Sequence, residues 1–163
     1  MMRRTVLGAG AAVLLTVAWG GGVAGAASVK APSIRLTIIL ATHADGGASI
    51  DARLPSLSRL LKSEPFAHYN VFTLLDRKQF PLEAGKAVTY PLVNGRNVEV
   101  TLGSVSTGDA GEQRYQLEAH IGEPGKAAYL KGLQVTLSAN QPFYVGGQSY
   151  QGGTLFLELA LVL

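Results

Sequence analysis

The 163-residue chain has no cysteine. That absence excludes disulfides, thiol catalysis, thiolate-held metals and the cysteine-linked lipid anchor of bacterial lipoproteins. An exported domain of this kind must therefore stand on its own core, and a chain of this length buries about two-thirds of its unfolded surface. Clustered positive charge is lacking too. The 14 Lys and Arg residues and the 11 Asp and Glu residues are scattered. No basic patch points to a nucleic acid or an anionic membrane, because counterion release needs charge gathered on one surface.

Catalytic spacing is just as sparse. His43, His68 and His120 form no H-x-H, H-x-x-x-H or H-E-x-x-H pattern, so a zinc site would depend wholly on tertiary convergence. Glycoside chemistry needs two carboxylates facing each other, and the acids here fall one per strand or turn. No catalytic residue and no cofactor is implied. The weak exception is "HADGGASID", where His43, Asp45 and Asp51 surround flexible glycines. It lacks the alternating oxygen ligands and closing glutamate of a calcium loop. A turn followed by a cap explains the same residues, and a metal-dependent hydrolase using that loop is the least favoured alternative.

Charge is missing altogether between Arg4 and Lys30. The stretch Val6 to Trp19, "VLGAGAAVLLTVAW", is apolar and of export-signal length, and Ala24-Gly-Ala26 supplies small residues for cleavage after Ala26. Residues 1–26 are expected to be a signal peptide and 27–163 a single β-rich domain. Left uncut, the run would be long enough to anchor the protein in a bilayer; its glycines make a poor anchor helix, so no stable membrane span is expected after cleavage. Loss of Arg3 and Arg4 leaves 12 basic residues against 11 acidic ones. The expected location is periplasmic or extracellular, with an N-terminally anchored form as the alternative.

What the rest of the chain has in abundance is alternation. In "SIRLTIILA", Ile34, Leu36, Ile38 and Leu40 point one way, with Arg35 and Thr37 opposite. "NVEVTL", "RYQLEAHI" and "LQVTLS" repeat the pattern, as half-buried strands do. Asn94-Gly95 predicts a two-residue type I′ hairpin, Glu123-Pro-Gly-Lys126 a type II turn, and Pro91 an edge strand. The final "TLFLELALVL" is apolar on both faces except at Glu158, and so belongs inside a sheet or between two layers. From Ala52 to Lys62, Leu54, Leu57, Leu60 and Leu61 form a stripe, with Asp51 as cap and Pro65 as stop, which predicts one helix over about 52–62. The expected fold is mainly β: an antiparallel β-sandwich or partly open barrel of about eight strands, the helix covering an end or open edge.

"GGQSYQGGTLFLEL" is one residue from a phosphate-binding loop. That loop needs a lysine and a following helix; Gly153 stands in the lysine's place and a leucine-rich strand follows. The stretch predicts a hairpin whose bend spans Gln148 to Gln151. Tyr144, Gln148, Ser149 and Tyr150 are the residues expected to meet a ligand or partner, if the 146–153 bend has that role. The order of "IRLTIILA", "LPSLSRLLK" and "VGGQSYQGGTLFLEL" is similar to that of exported β-domains of Gram-negative bacteria, and this resemblance implies no activity. The expected function is non-enzymatic: a structural or interaction subunit of the cell envelope, in a secretion, motility or coat assembly, whose partners are other envelope proteins. A small-ligand module built on the 146–153 bend is the alternative.

Overall fold

A computed structural model describes residues 31–123 and 125–163; the expected signal segment 1–26 lies outside the described residues. Nine strands follow in order: β1 (Ser33–Thr42), β2 (Ser49–Ile50), β3 (Val71–Pro81), β4 (Ala87–Pro91), β5 (Asn97–Thr107), β6 (Gln113–Gly122), β7 (Ala128–Leu137), β8 (Phe143–Tyr150) and β9 (Gly153–Val162). They build two sheets. The first has the order β2-β3-β1-β9-β8 and the second is the meander β4-β5-β6-β7. All pairings are antiparallel except the short β2–β3 contact. The expected sandwich is present, and the ninth strand is the two-residue β2.

The alternating residues meet between the sheets. Ile34, Leu36 and Ile38 of β1 and Leu155, Leu157, Leu159 and Leu161 of β9 face Val98, Val100 and Leu102 of β5 and Leu117, Ala119 and Ile121 of β6. Each fully buried aliphatic side chain here contributes about 1.5–3 kcal/mol. A second core lies on the other face of the five-stranded sheet. There Ile39, Ala41, Phe72 and Phe156 are covered by Leu54, Leu57 and Phe66. Over this half, the inner strands β1 and β9 are dry on both sides, which is why their sequences are apolar on both faces.

The covering segment corrects the helix expected over 52–62. It forms a 3-10 turn at Pro55–Arg59 and another at Phe66–His68, and it lies over a sheet face instead of an end or open edge. The bonds step by three: Leu57 N–H to Leu54 O at 3.2 Å, then Leu60 N–H to Leu57 O and Ser63 N–H to Leu60 O, both at 2.8 Å. A period of three stacks Leu54, Leu57 and Leu60 on one side, as side chains at i and i+3 do in a 3-10 helix.

The turns also differ in detail. At Asn94-Gly95 only Gly95 has positive φ, 81°, and the Leu92 N–H donates to Arg96 O at 2.6 Å. The loop is therefore one residue longer than a two-residue I′ turn, held by the buried Leu92 on one side and by Asn94, whose Nδ2 donates to Gln148 Oε1 at 3.0 Å. The I′ geometry occurs at Gln151-Gly152 instead, with φ 45° and 76°, between the paired Tyr150 and Gly153.

Candidate functional site

On the outer face of the five-stranded sheet, one transverse row crosses four strands. Arg77 of β3 stands opposite Thr37 of β1, Thr37 opposite Glu158 of β9, and Glu158 opposite Tyr144 of β8. Glu158 is only 3% exposed. Burying a carboxylate is costly unless its oxygens are hydrogen-bonded, and here they are. Tyr144 OH donates to Oε2 at 2.9 Å, Thr37 Oγ1 to Oε1 at 3.2 Å, and Ser56 Oγ from the 3-10 cap to Oε2 at 3.5 Å. Arg35 Nη2 stands 3.9 Å from Oε1.

Burial, foremost, pushes the Tyr144 hydroxyl up to about 12; the Ser56 hydrogen bond opposes it, and the charge and hydrogen bond of Glu158 add to it. Arg77 extends the row by donating to Thr37 Oγ1 at 3.3 Å and to the Arg53 carbonyl at 2.9 Å. The cluster therefore ties the cap segment to the middle of the sheet through charge and hydroxyls, where the rest of the contact is hydrocarbon.

Tyr144 also borders an open groove of about 510 Å³ between the cap and the β7–β8 turn. Leu60, Pro65, Phe66, Pro142 and Phe143 line it beside Tyr144, and Ser63, Glu64, Asn140 and Gln141 form its rim. Phe66 is the floor. It packs edge-on against Tyr144 at 5.1 Å between ring centroids and lies 4.9 Å from Phe156. An apolar floor inside a polar rim is the anatomy of a protein-binding patch.

The four residues expected at the glycine-bracketed bend do not share a surface. Gly146-Gly147 is a bulge inside β8, where the pairing with β9 shifts between Val145 and Gln148. Before it, Tyr144 lies on the outer face. After it, Gln148 is fully buried, its Oε1 accepting from Asn94 and, at 3.4 Å, from Arg96 Nη1. Tyr150 packs against the inter-sheet core, and Ser149 is exposed on the opposite side. The bend itself is placed two residues later than expected, centred on Gln151-Gly152.

The His43–Asp51 loop does not assemble a metal set. Asp51 is gripped through both oxygens by Arg53, at 2.9 and 2.6 Å. Those hydrogen bonds hold its carboxyl well below the usual carboxylate range. His43 and Asp45 are exposed. Among the described residues, no three His, Asp or Glu side chains converge on a point that would hold a metal ion. His120 instead accepts a hydrogen bond from the Gly132 N–H at 3.1 Å, and its Nε2 faces Glu118 at the same distance. His68 pairs with Glu64 at the surface.

Sequence reasoning did not gather Glu158, Thr37, Ser56 and Arg35 into one site. The available signal was a charged residue in the middle of a strand that is otherwise hydrocarbon on both faces. Comparison with protein-family models, with curated proteins and with solved structures returned no match.

Proposed function

We propose that the protein is an exported, non-enzymatic β-sandwich that serves as an interaction subunit of the bacterial cell envelope. The observation that carries this reading is the open cap-side groove, where the buried Phe66 lies beneath a space bordered by the half-buried Leu60, Phe143 and Tyr144 and the exposed Pro65 and Pro142. The occupant is an extended segment of another envelope protein. It lies along the β8 edge, which ends its sheet at Phe143–Val145, and inserts an aliphatic or aromatic side chain over Phe66. Strand addition of this kind draws affinity from main-chain hydrogen bonds and specificity from the side-chain pocket. The apolar N-terminal run and Ala24-Gly-Ala26 support export.

The test joins address and groove. Mass spectrometry of protein recovered from the envelope is expected to find Ala27 as the first residue. Cross-linking of intact envelopes followed by immunoprecipitation is expected to recover one defined partner. Ser63→Arg with Gln141→Arg places long charged side chains at the groove mouth without touching the core, and is expected to lower that recovery roughly tenfold, about 1.4 kcal/mol of binding. Thr101→Arg, on the outer face of the other sheet, is the control and leaves recovery unchanged. Equal recovery from both variants, or an inert monomer with no partner, sinks the reading.

A further inference from the structure

The four-stranded sheet ends on β7, and among the described residues no strand pairs with its outer edge. Other edges are interrupted. β4 stops at Pro91, which has no N–H to donate. β2 is two residues long, and the uncovered run of β3 carries Asp76, Arg77 and Lys78. These are the usual ways in which an edge is kept from pairing with another chain. In β7 the register shifts around Lys131-Gly132, where Gly132 has φ 68°. Beyond that bulge, Leu133 to Leu137 reads "LQVTL", with no charge, proline or glycine. Such a window on an open edge is a template for another strand.

The pattern of the window identifies that strand. About Val135, "LQVTL" reads nearly the same in both directions. Antiparallel pairing with itself sets Val135 opposite Val135 of a second copy, Leu133 opposite Leu137, and Gln134 opposite Thr136. Directly opposed residues share a face. Val135 and Leu137 are buried and Leu133 packs on the inter-sheet core, whereas Gln134 and Thr136 are exposed. The symmetric register therefore keeps both apolar sets on one side and both polar sets on the other. A slip of one residue would set outward residues against inward ones. No like charges meet across the two-fold axis.

We propose that β7 pairs with β7 of a second copy, joining the two four-stranded sheets into one continuous sheet. The interface is isologous, as a two-fold dimer requires. The bulge at Lys131-Gly132 stops the ladder on one side and the turn after Leu137 stops it on the other. So short a ladder makes an exchanging dimer, with buried area below about 1,200 Å². The pairing stands apart from the groove and does not require an envelope partner.

The absence of native cysteine makes the test direct. Gln134→Cys and Thr136→Cys are prepared separately, then oxidised alone and as an equal mixture. Opposed residues in an antiparallel pair have Cα separations of about 4.5–5.5 Å, within reach of a disulfide. Both positions are exposed, and circular dichroism with thermal melting confirms that the variants fold. The mixture is expected to form linked dimer roughly tenfold faster than either variant alone, since only the mixture places two thiols opposite each other. Light scattering of the unmodified protein is expected to show monomer passing to dimer as concentration rises. Equal linking rates in all three samples, or a protein that stays monomeric up to roughly millimolar concentration, overturns the proposal.

Discussion

Glu158 occupies a position that its strand otherwise fills with hydrocarbon, between Phe156 and Ala160 on the outer face of β9. The acid is tolerated because three hydroxyls and Arg35 converge on it. Glu158→Gln keeps an acceptor for Tyr144 and removes the charge. The Tyr144 hydroxyl, now at about 12, is expected to fall toward its ordinary value without reaching it, because burial is the larger cause and persists. Ultraviolet titration of phenolate, with Tyr144→Phe as the baseline, reads this directly; an unchanged titration shows that Glu158 does not act on the ring. Thr37, Ser56 and Tyr144 come from three distant parts of the chain. Their convergence was not legible along the sequence, although a lone acid in an apolar strand was.

The glycines of β8 and β9 looked like two brackets around one bend, and at the level of elements they do three separate jobs. Gly146-Gly147 makes the bulge, Gly152 turns the chain with positive φ, and Gly153 lies close against the Ala41 carbonyl. A Cβ at Gly146 would run into the Phe156 ring, which lies over β8 only because nothing projects there. Gly146→Ala is expected to cost about 1–3 kcal/mol, as overpacking does. Gly46→Ala, in open space, is expected to stay within about 0.5 kcal/mol. Urea denaturation of the two variants checks the contrast, and equal midpoints contradict the packing. The same lesson applies to the cap: leucines at 54, 57 and 60 carried a period of three, and Leu61 beside them made the stripe look α-helical.

For the molecule as a whole, the two sheets are also joined by a polar contact. Tyr90 of β4 donates a hydrogen bond to Asp76 of β3, and the Phe80 and Tyr90 rings pack beside it, tilted, with centroids 5.5 Å apart. That hydrogen bond, with burial and the charge of Asp76, pushes the Tyr90 hydroxyl up to about 12, and the same bond holds the Asp76 carboxyl below its ordinary value. Tyr90 and Tyr144 thus bind their protons more tightly folded than unfolded, where tyrosine titrates near about 10. Their contribution to stability is complete below pH 10 and is lost as pH rises through about 12. Denaturation midpoints are expected to decline over that interval, and to decline less in a Tyr90→Phe, Tyr144→Phe double variant. At the acid end the sign reverses. Asp76 contributes above the unfolded carboxylate value, near about 3.9, and that contribution fades as pH falls below it.

Residue order by itself determined the class of fold. Polar and apolar side chains alternate with the period of a strand, Pro91 marks an edge, and a doubly apolar final run occupies the interior of a sheet, because backbone pleating fixes which side each residue faces. Only the tertiary structure decided which residues share a site. Whether Glu158 meets Thr37, Ser56 and Tyr144, and whether Gln148 points outward or is sealed inside, depends on strand order, bulges and sheet stacking. Those are set by contacts between segments far apart in the chain, which local periodicity does not encode.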